Sequence, residues 1–279
     1  MLVSACAGSG SANANREKST AYITMPDKSA LLQPVLLTSN FATTHVQLSI
    51  NTGSTYQEMD GFGFTLTGGS ALHISKMSSE ARAKLLKEIF GDGPQDIGVS
   101  FIRVSVGASD LDELLFSYND LPAGQTDPNI EKFDLGYDKK YLIPVLKQIL
   151  AINPNIKLLA SPWSPPVWMK DNGDTRGGSL KPEYYPSYAK YLVKYIQEMK
   201  KEGINIYALT IQNEPLHPGN NPSLLMPADA QKVFVRDHLG AAFSKNNIQT
   251  RIIIYDHNAD RPDYPISILN DPQAAKYID

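Results

Sequence analysis

The chain has a single cysteine, Cys6, so no disulfide can form within it. No apolar run approaches the roughly 18–20 residues needed to cross a bilayer. Basic residues are not in excess: 26 Lys and Arg face 29 Asp and Glu, for a net charge of −3. No basic stripe appears, which argues against a nucleic-acid partner. His45, His73, His217, His238 and His257 are scattered without ligand spacing, which argues against a zinc site. The glycines of "GFGFTLTGGS" (61–70) do not have the spacing of a phosphate-binding turn.

What remains is ordinary globular composition, 42% apolar and 20% charged, over 279 residues. One large α/β barrel or two smaller domains fit that length. Near the start, Val3-Ser4-Ala5-Cys6 resembles a bacterial lipobox, in which the cysteine becomes the lipidated N-terminus. The small polar residues after it suit a flexible tether. The motif therefore suggests a lipid anchor at Cys6 and a secreted, periplasmic or surface location. The apolar region that precedes such a motif is nearly absent, and a disordered tail is the competing reading. Residues 1–20 are set apart from the fold on either reading.

Residues 35–57 alternate and carry turn residues, so the segment 21–57 reads as β-strands of a small sheet domain. From 58 to 279, short apolar strands alternate with amphipathic helices. Strands are predicted at 61–67, 99–106, 156–163, 206–212 and 251–256, the first running into a glycine-rich turn. Helices are predicted at 78–91, 138–152 (bent or restarted at Pro144), 186–203 and 227–245. "DPQAAKYID" reads as a helix end leading toward a sixth strand. Strand–helix alternation implies a parallel sheet covered by helices. A doubly wound sheet and a (β/α)8 TIM barrel both satisfy it.

Strand alternation favours the barrel. In "FIRVSV", Ile102, Val104 and Val106 share one face while Arg103 and Ser105 share the other. In "YALTIQNE", Tyr207, Leu209 and Ile211 alternate with Ala208, Thr210, Gln212 and Glu214. A bulky face suits outer helices, and a small or polar face suits a barrel interior. Glu214 then leaves the interior row at the C-terminal end of a strand, where barrel enzymes place catalytic groups. A carboxylic acid in a partly desolvated cleft can protonate a leaving oxygen. Asn213 can hold a substrate hydroxyl. Trp163 and Trp168 offer flat faces for a sugar ring, and Asp110 follows the second strand onto the same rim. Blander readings stand beside these. A strand-end glutamate often only bonds a loop, Trp168 can pack under its own loop, and Arg103 can simply neutralise a buried carboxylate. The five tyrosines at 184–195 read as helix packing, with Tyr188, Tyr191 and Tyr195 facing the barrel.

"GFGFTLTGGSA", "FIRVSVGASD", "LLASPWSPPVWMKDNG", "GGSLK", "YALTIQNEP" and "NDPQAAKYI" resemble glycoside hydrolase family 30, the glucosylceramidase-like family, in register from about residue 46 onward. The resemblance implies a (β/α)8 barrel with a β-sandwich built partly from residues before it. It implies retaining hydrolysis of β-linked glucosides or β-glucans, without metal or cofactor. It assigns Glu214 as general acid/base, Asn213 to the sugar 2-hydroxyl, Trp163 and Asp110 to sugar contacts, and Arg103 to a place beneath the carboxylates. Relatives carry Asp where Gly68 stands, so no role transfers there. The family's nucleophile, a glutamate on the seventh strand, has no counterpart in these 279 residues. The expectation is therefore an N-terminal barrel portion of about five strands, inactive by itself and prone to aggregate through its open edges. A glucosylceramidase-like β-glucosidase is the first substrate reading. A β-1,6-glucanase or xylan-directed hydrolase is the alternative within the family, and a non-catalytic glycan-binding lipoprotein or inactive gene fragment the alternative outside it.

Overall fold

The computed structural model describes residues 20–36, 49 and 51–279. Cys6 and its surrounding motif lie outside the described residues, as do 37–48 of the stretch expected to be β-structure. Contacts divide the chain into two units, meeting at Met59 and Asp60. No helix among the described residues is long and apolar enough to cross a membrane.

In the first unit, β1 (Thr20–Ile23) pairs antiparallel with β2 (Gln33–Leu36), with Thr20 opposite Leu36. This hairpin starts within the stretch set apart as a tether. Residues 51–57, expected to be extended, contain no strand. The Asn51 side chain accepts from the Gly53 N–H and closes a turn, the local bond that Asn offers in competition with a sheet.

The second unit opens with β3 (Gly63–Thr65), followed by helices α1 (Gly68–Lys76) and α2 (Ser79–Phe90). Then come β4 (Phe101–Val106), α3 (Leu142–Ile152), β5 (Lys157–Pro162), α4 (Tyr185–Lys201) and β6 (Ala208–Thr210). The last elements are α5 (Ala228–Phe234), α6 (Gly240–Lys245), β7 (Arg251–Ile253), α7 (Asp263–Leu269) and α8 (Pro272–Ala275). The five strands are parallel and lie side by side in chain order, β3-β4-β5-β6-β7. A doubly wound sheet reverses strand order at a switch point, whereas a barrel winds in one direction. The observed order is that of barrel winding.

Within the strands the two faces differ as the alternation requires, whereas Tyr207, expected to face outward, precedes β6 and its ring packs against Phe101, Lys157 and Arg251 of the inner row. Ile102, Val104, Leu158, Ala160, Leu209 and Ile252 are buried against the helices. Arg103, Ser161 and Thr210 lie on the opposite, interior face, where they bond one another. At the outer edge of β7, the Asp279 N–H donates to Ile252 O.

Three elements depart from expectation. "GGSALHISK" is helix α1 rather than an open turn, because the Thr67 side chain accepts from Ser70 N and Ala71 and Leu72 are buried. The 138–152 helix starts late: a 3-10 turn at Gly136–Lys139 precedes α3, which puts Pro144 in the first turn, where a missing N–H costs nothing. The 227–245 helix contains a π turn at Val235–Leu239 between α5 and α6.

The tyrosines of α4 pack as expected. Tyr188, Tyr191 and Tyr195 are fully buried, and Tyr118 from the loop after β4 stacks on Tyr195 at 5.7 Å and 4°. The Tyr118 hydroxyl donates to Asp138, whose carboxyl is buried in this aromatic layer. Burial pushes the Asp138 carboxyl up to about 7, against a modest downward pull from the Tyr118 hydrogen bond. An unfolded carboxyl titrates near about 4, so the folded state holds this proton more tightly. The stability it contributes is fully present below about pH 4 and is lost as pH rises through about 7. Asp138→Asn should therefore gain on the parent chain between pH 5 and pH 8, by about 1–3 kcal/mol. Thermal unfolding followed by circular dichroism at both pH values checks this, and a constant difference between the two chains refutes it.

Candidate active site

Four strands deliver polar groups to one point on the interior face. Asp256 follows β7, and its Oδ2 lies 2.7 Å from Arg103 Nη2 of β4, 2.6 Å from Ser161 Oγ of β5 and 2.8 Å from Thr210 Oγ1 of β6. Arg103 Nη2 also donates to Ser161 Oγ at 3.0 Å and to Asn213 Oδ1 at 2.7 Å. The guanidinium carbon sits 4.7 Å from the centre of the Trp163 ring, in cation–π contact. The expected buried carboxylate beside Arg103 is thus Asp256, a residue sequence reasoning passed over. It was reachable: like Glu214, it stands where an apolar strand, "RIIIYD", ends.

Beyond Thr210 the alternation breaks. Gln212 is fully buried and donates from Nε2 to Trp163 O at 2.6 Å. Asn213 is the residue that meets Arg103 inside. Regular strand ends at Thr210, and the bend that follows shifts the phase of the side chains. Asn213 N–H then donates to Pro162 O and Glu214 N–H to Asp256 O, both at 2.8 Å. Glu214 has φ +44°, left-handed backbone that costs a side-chain-bearing residue about 1–2 kcal/mol. The two hydrogen bonds hold that conformation. The Glu214 carboxylate accepts from Asn220 Nδ2 at 2.7 Å and remains partly accessible at the strand exit.

Trp163 is 5% exposed, with Arg103 on one face, and its Nε1 has no partner among the described residues. Trp168 packs under the rim: its Nε1 donates to Asn119 Oδ1 at 3.0 Å and its ring stands edge-on to Tyr184. Asp110 is exposed and makes no side-chain hydrogen bond among the described residues. Its neighbour Asp112 turns inward instead and accepts from Ser109 N and Oγ at 2.8 and 2.6 Å. This explains Gly68. A Cβ there would lie 1.9 Å from Asp112 Oδ1, so no side chain fits while Asp112 holds the space. Burial raises the Asp112 carboxyl above its ordinary value. Beside the site a hollow of about 190 Å³ runs between Leu115, Phe116, Pro165 and Pro222. Among the described residues no cluster of three His, Cys, Asp or Glu could hold a metal ion.

Residues 59–279 match the model of the glycosyl hydrolase family 30 TIM-barrel domain. The chain belongs to glycosyl hydrolase family 30. Among relatives of this family-30 chain, the endo-1,6-beta-D-glucanase neg1 of Aspergillus fumigatus is 32% identical, over 80% of this chain and 48% of the relative. A putative glucosylceramidase 1 of Caenorhabditis elegans is 30% identical, over 86% and 47%. The chain spans about half the length of the curated relatives it matches. Among solved structures, the endo-beta1,6-glucanase BT3312 superposes with a TM-score of 0.82 at 37% identity, over 93% of this chain and 58% of its own. SrfJ from Salmonella typhimurium superposes at 0.80 with 27% identity, over 92% and 58%. The five strands are therefore consecutive units of a TIM barrel.

Two outcomes test the site's construction. Asp256→Ala leaves the Arg103 cation without its carboxylate and should cost about 2–3 kcal/mol, less than a fully buried pair because both side chains keep about a fifth of their exposure. Chemical denaturation measures it, and a neutral effect would show that the pair does not brace the strands. Gly68→Asp should destabilise by about 2 kcal/mol, and Gly68→Asp combined with Asp112→Ser should recover most of that. Additive losses would refute shared occupancy of the space.

Proposed function

We propose that this chain is part of a retaining β-glycoside hydrolase in which Glu214 is the general acid/base. The observation that carries the proposal is the placement of Glu214. It leaves the C-terminal end of the fourth parallel strand in strained backbone, with its carboxylate held by Asn220 above the Arg103–Asp256 pair. Glu214 donates its proton to the glycosidic oxygen as that bond breaks and a second carboxylate attacks the anomeric carbon. The Glu214 carboxylate then takes a proton from the water that releases the sugar. Such a mechanism needs two carboxyls about 5–5.5 Å apart. In this reading the nucleophile is a glutamate on a seventh strand that these 279 residues do not include. Asn213 is the contact for the sugar 2-hydroxyl, and Trp163 and Asp110 contribute to sugar binding. The Arg103–Asp256 pair fixes Asn213, and the lipobox-like start supports export with an anchor at Cys6.

For the substrate, both β-1,6-glucan and glucosylceramide-type glucosides have support among the relatives. Identity favours the glucan: 37% to an endo-β-1,6-glucanase structure against 30% to a putative glucosylceramidase. Steady-state rates of the full-length protein on a linear β-1,6-glucan, glucosylceramide and xylan decide between them, and a preference for xylan would overturn the glucoside reading. In the same protein, Glu214→Gln should lower kcat/KM by about 100-fold or more on glycosides with poor leaving groups, and far less on activated aryl β-glucosides. Equal loss on both would remove the acid role. Turnover of an aryl β-glucoside by residues 1–279 alone would show that the nucleophile lies within them.

A further inference from the structure

Lys170 is an unusual residue to find at the rim of this barrel. It is 1% exposed, among the largest fully buried side chains, and no carboxylate lies within ion-pair distance among the described residues. A buried ammonium is costly unless its protons are matched. All three are: Nζ donates to Ser164 Oγ at 3.1 Å, Thr175 O at 2.9 Å and Ser223 O at 2.8 Å. Ser164 and Thr175 belong to the loop after β5, and Ser223 to the loop after β6 that carries Glu214. Lys170 therefore bonds both loops through one atom. Further contacts tie them together: Thr175 Oγ1 to Asn221 Oδ1 at 2.7 Å, and Gly177 N–H to Ser223 Oγ at 2.8 Å. Ser223 Oγ in turn lies 2.6 Å from Asn220 O. Asn220 is the residue whose side chain holds the Glu214 carboxylate.

We propose that Lys170 is a positioning residue for Glu214: it fixes the loop after β6 so that Asn220 faces the acid. The proposal rests on the reading of Glu214 as acid/base. Lys170 touches neither substrate nor reacting atoms and works through Ser223 and Asn220. Burial lowers its ammonium to about 8, in keeping with a site where hydrogen bonds rather than a counter-charge retain the cation. Asp174 and Asp171 lie near enough to oppose that shift only in part.

The test uses the full-length protein and compares leaving groups. A merely structural lysine would lower the active fraction and reduce every substrate alike. A residue that positions the acid matters most where protonation of the leaving oxygen is hardest. Lys170→Met should lower kcat/KM about 10-fold or more on poor leaving groups and less than about 3-fold on activated aryl β-glucosides, since small misplacement of a catalytic group is already expensive. Asn220→Ala should show the same selectivity. Amide hydrogen exchange at Gly219, Asn220, Asn221 and Ser223 should quicken in Lys170→Met. If Lys170→Met does not fold, Lys170→Gln, which keeps a donor at that position, is measured in its place. Equal loss on both substrate classes, or no loss, overturns the proposal. If Glu214→Gln is selective for leaving group while the Lys170 variant is not, only the Lys170 proposal fails. If Glu214→Gln is itself unselective, both fail.

Discussion

Asp256 Oδ2 is the point on which the interior of this structure depends. Within 2.8 Å it meets groups from β4, β5 and β6 while its own backbone continues from β7. Hydrogen bonds along a parallel sheet fix neighbouring strands only in pairs. A carboxylate shared by three donors fixes four strands at once and sets their relative height at the rim. Arg103 makes this workable, since a planar guanidinium can pair with a carboxylate, donate to an amide and stack on an indole together. A lysine in its place would offer a point charge and no flat face.

The rim above is built outward from that pair. Asn213 is drawn inside by Arg103, and the Glu214 amide is drawn onto Asp256 O. Together they hold Glu214 in left-handed backbone. Strain of this kind persists only where surrounding bonds overdetermine it, and it gathers where a side chain must be aimed. The loops of β5 and β6 then supply Asn220 to the carboxylate and Lys170 to the loops, so the exit residue is gripped from beneath and from the side. Gly68 shows the same economy of space, because the room a side chain would need is filled by Asp112 from the next loop.

Much of this was legible in the sequence, because burial on one face of a strand or helix writes itself as a period. Alternation in "FIRVSV" and in Ala208–Thr210 placed the outer and inner faces correctly, and tyrosines at helical spacing marked the packed side of α4. The strand-end position of Glu214 followed from the same counting. Counting failed where regular structure stopped. It put Tyr207, which precedes β6, on the outward row, missed helix α1 behind a Gly-Gly pair, and expected strands at 51–57 where an Asn side chain closes a turn.

The sequence by itself determined the order of the five parallel strands, the barrel class and the carboxylate at the fourth strand's end. These depend on local periodicity and on motifs a few residues long. Only the tertiary structure decided which groups meet. Arg103 and Asp256 are 153 positions apart, and Lys170 and Ser223 are 53 apart. No spacing rule joins them, because the winding of the parallel sheet brings strand ends together in space without regard to their separation along the chain.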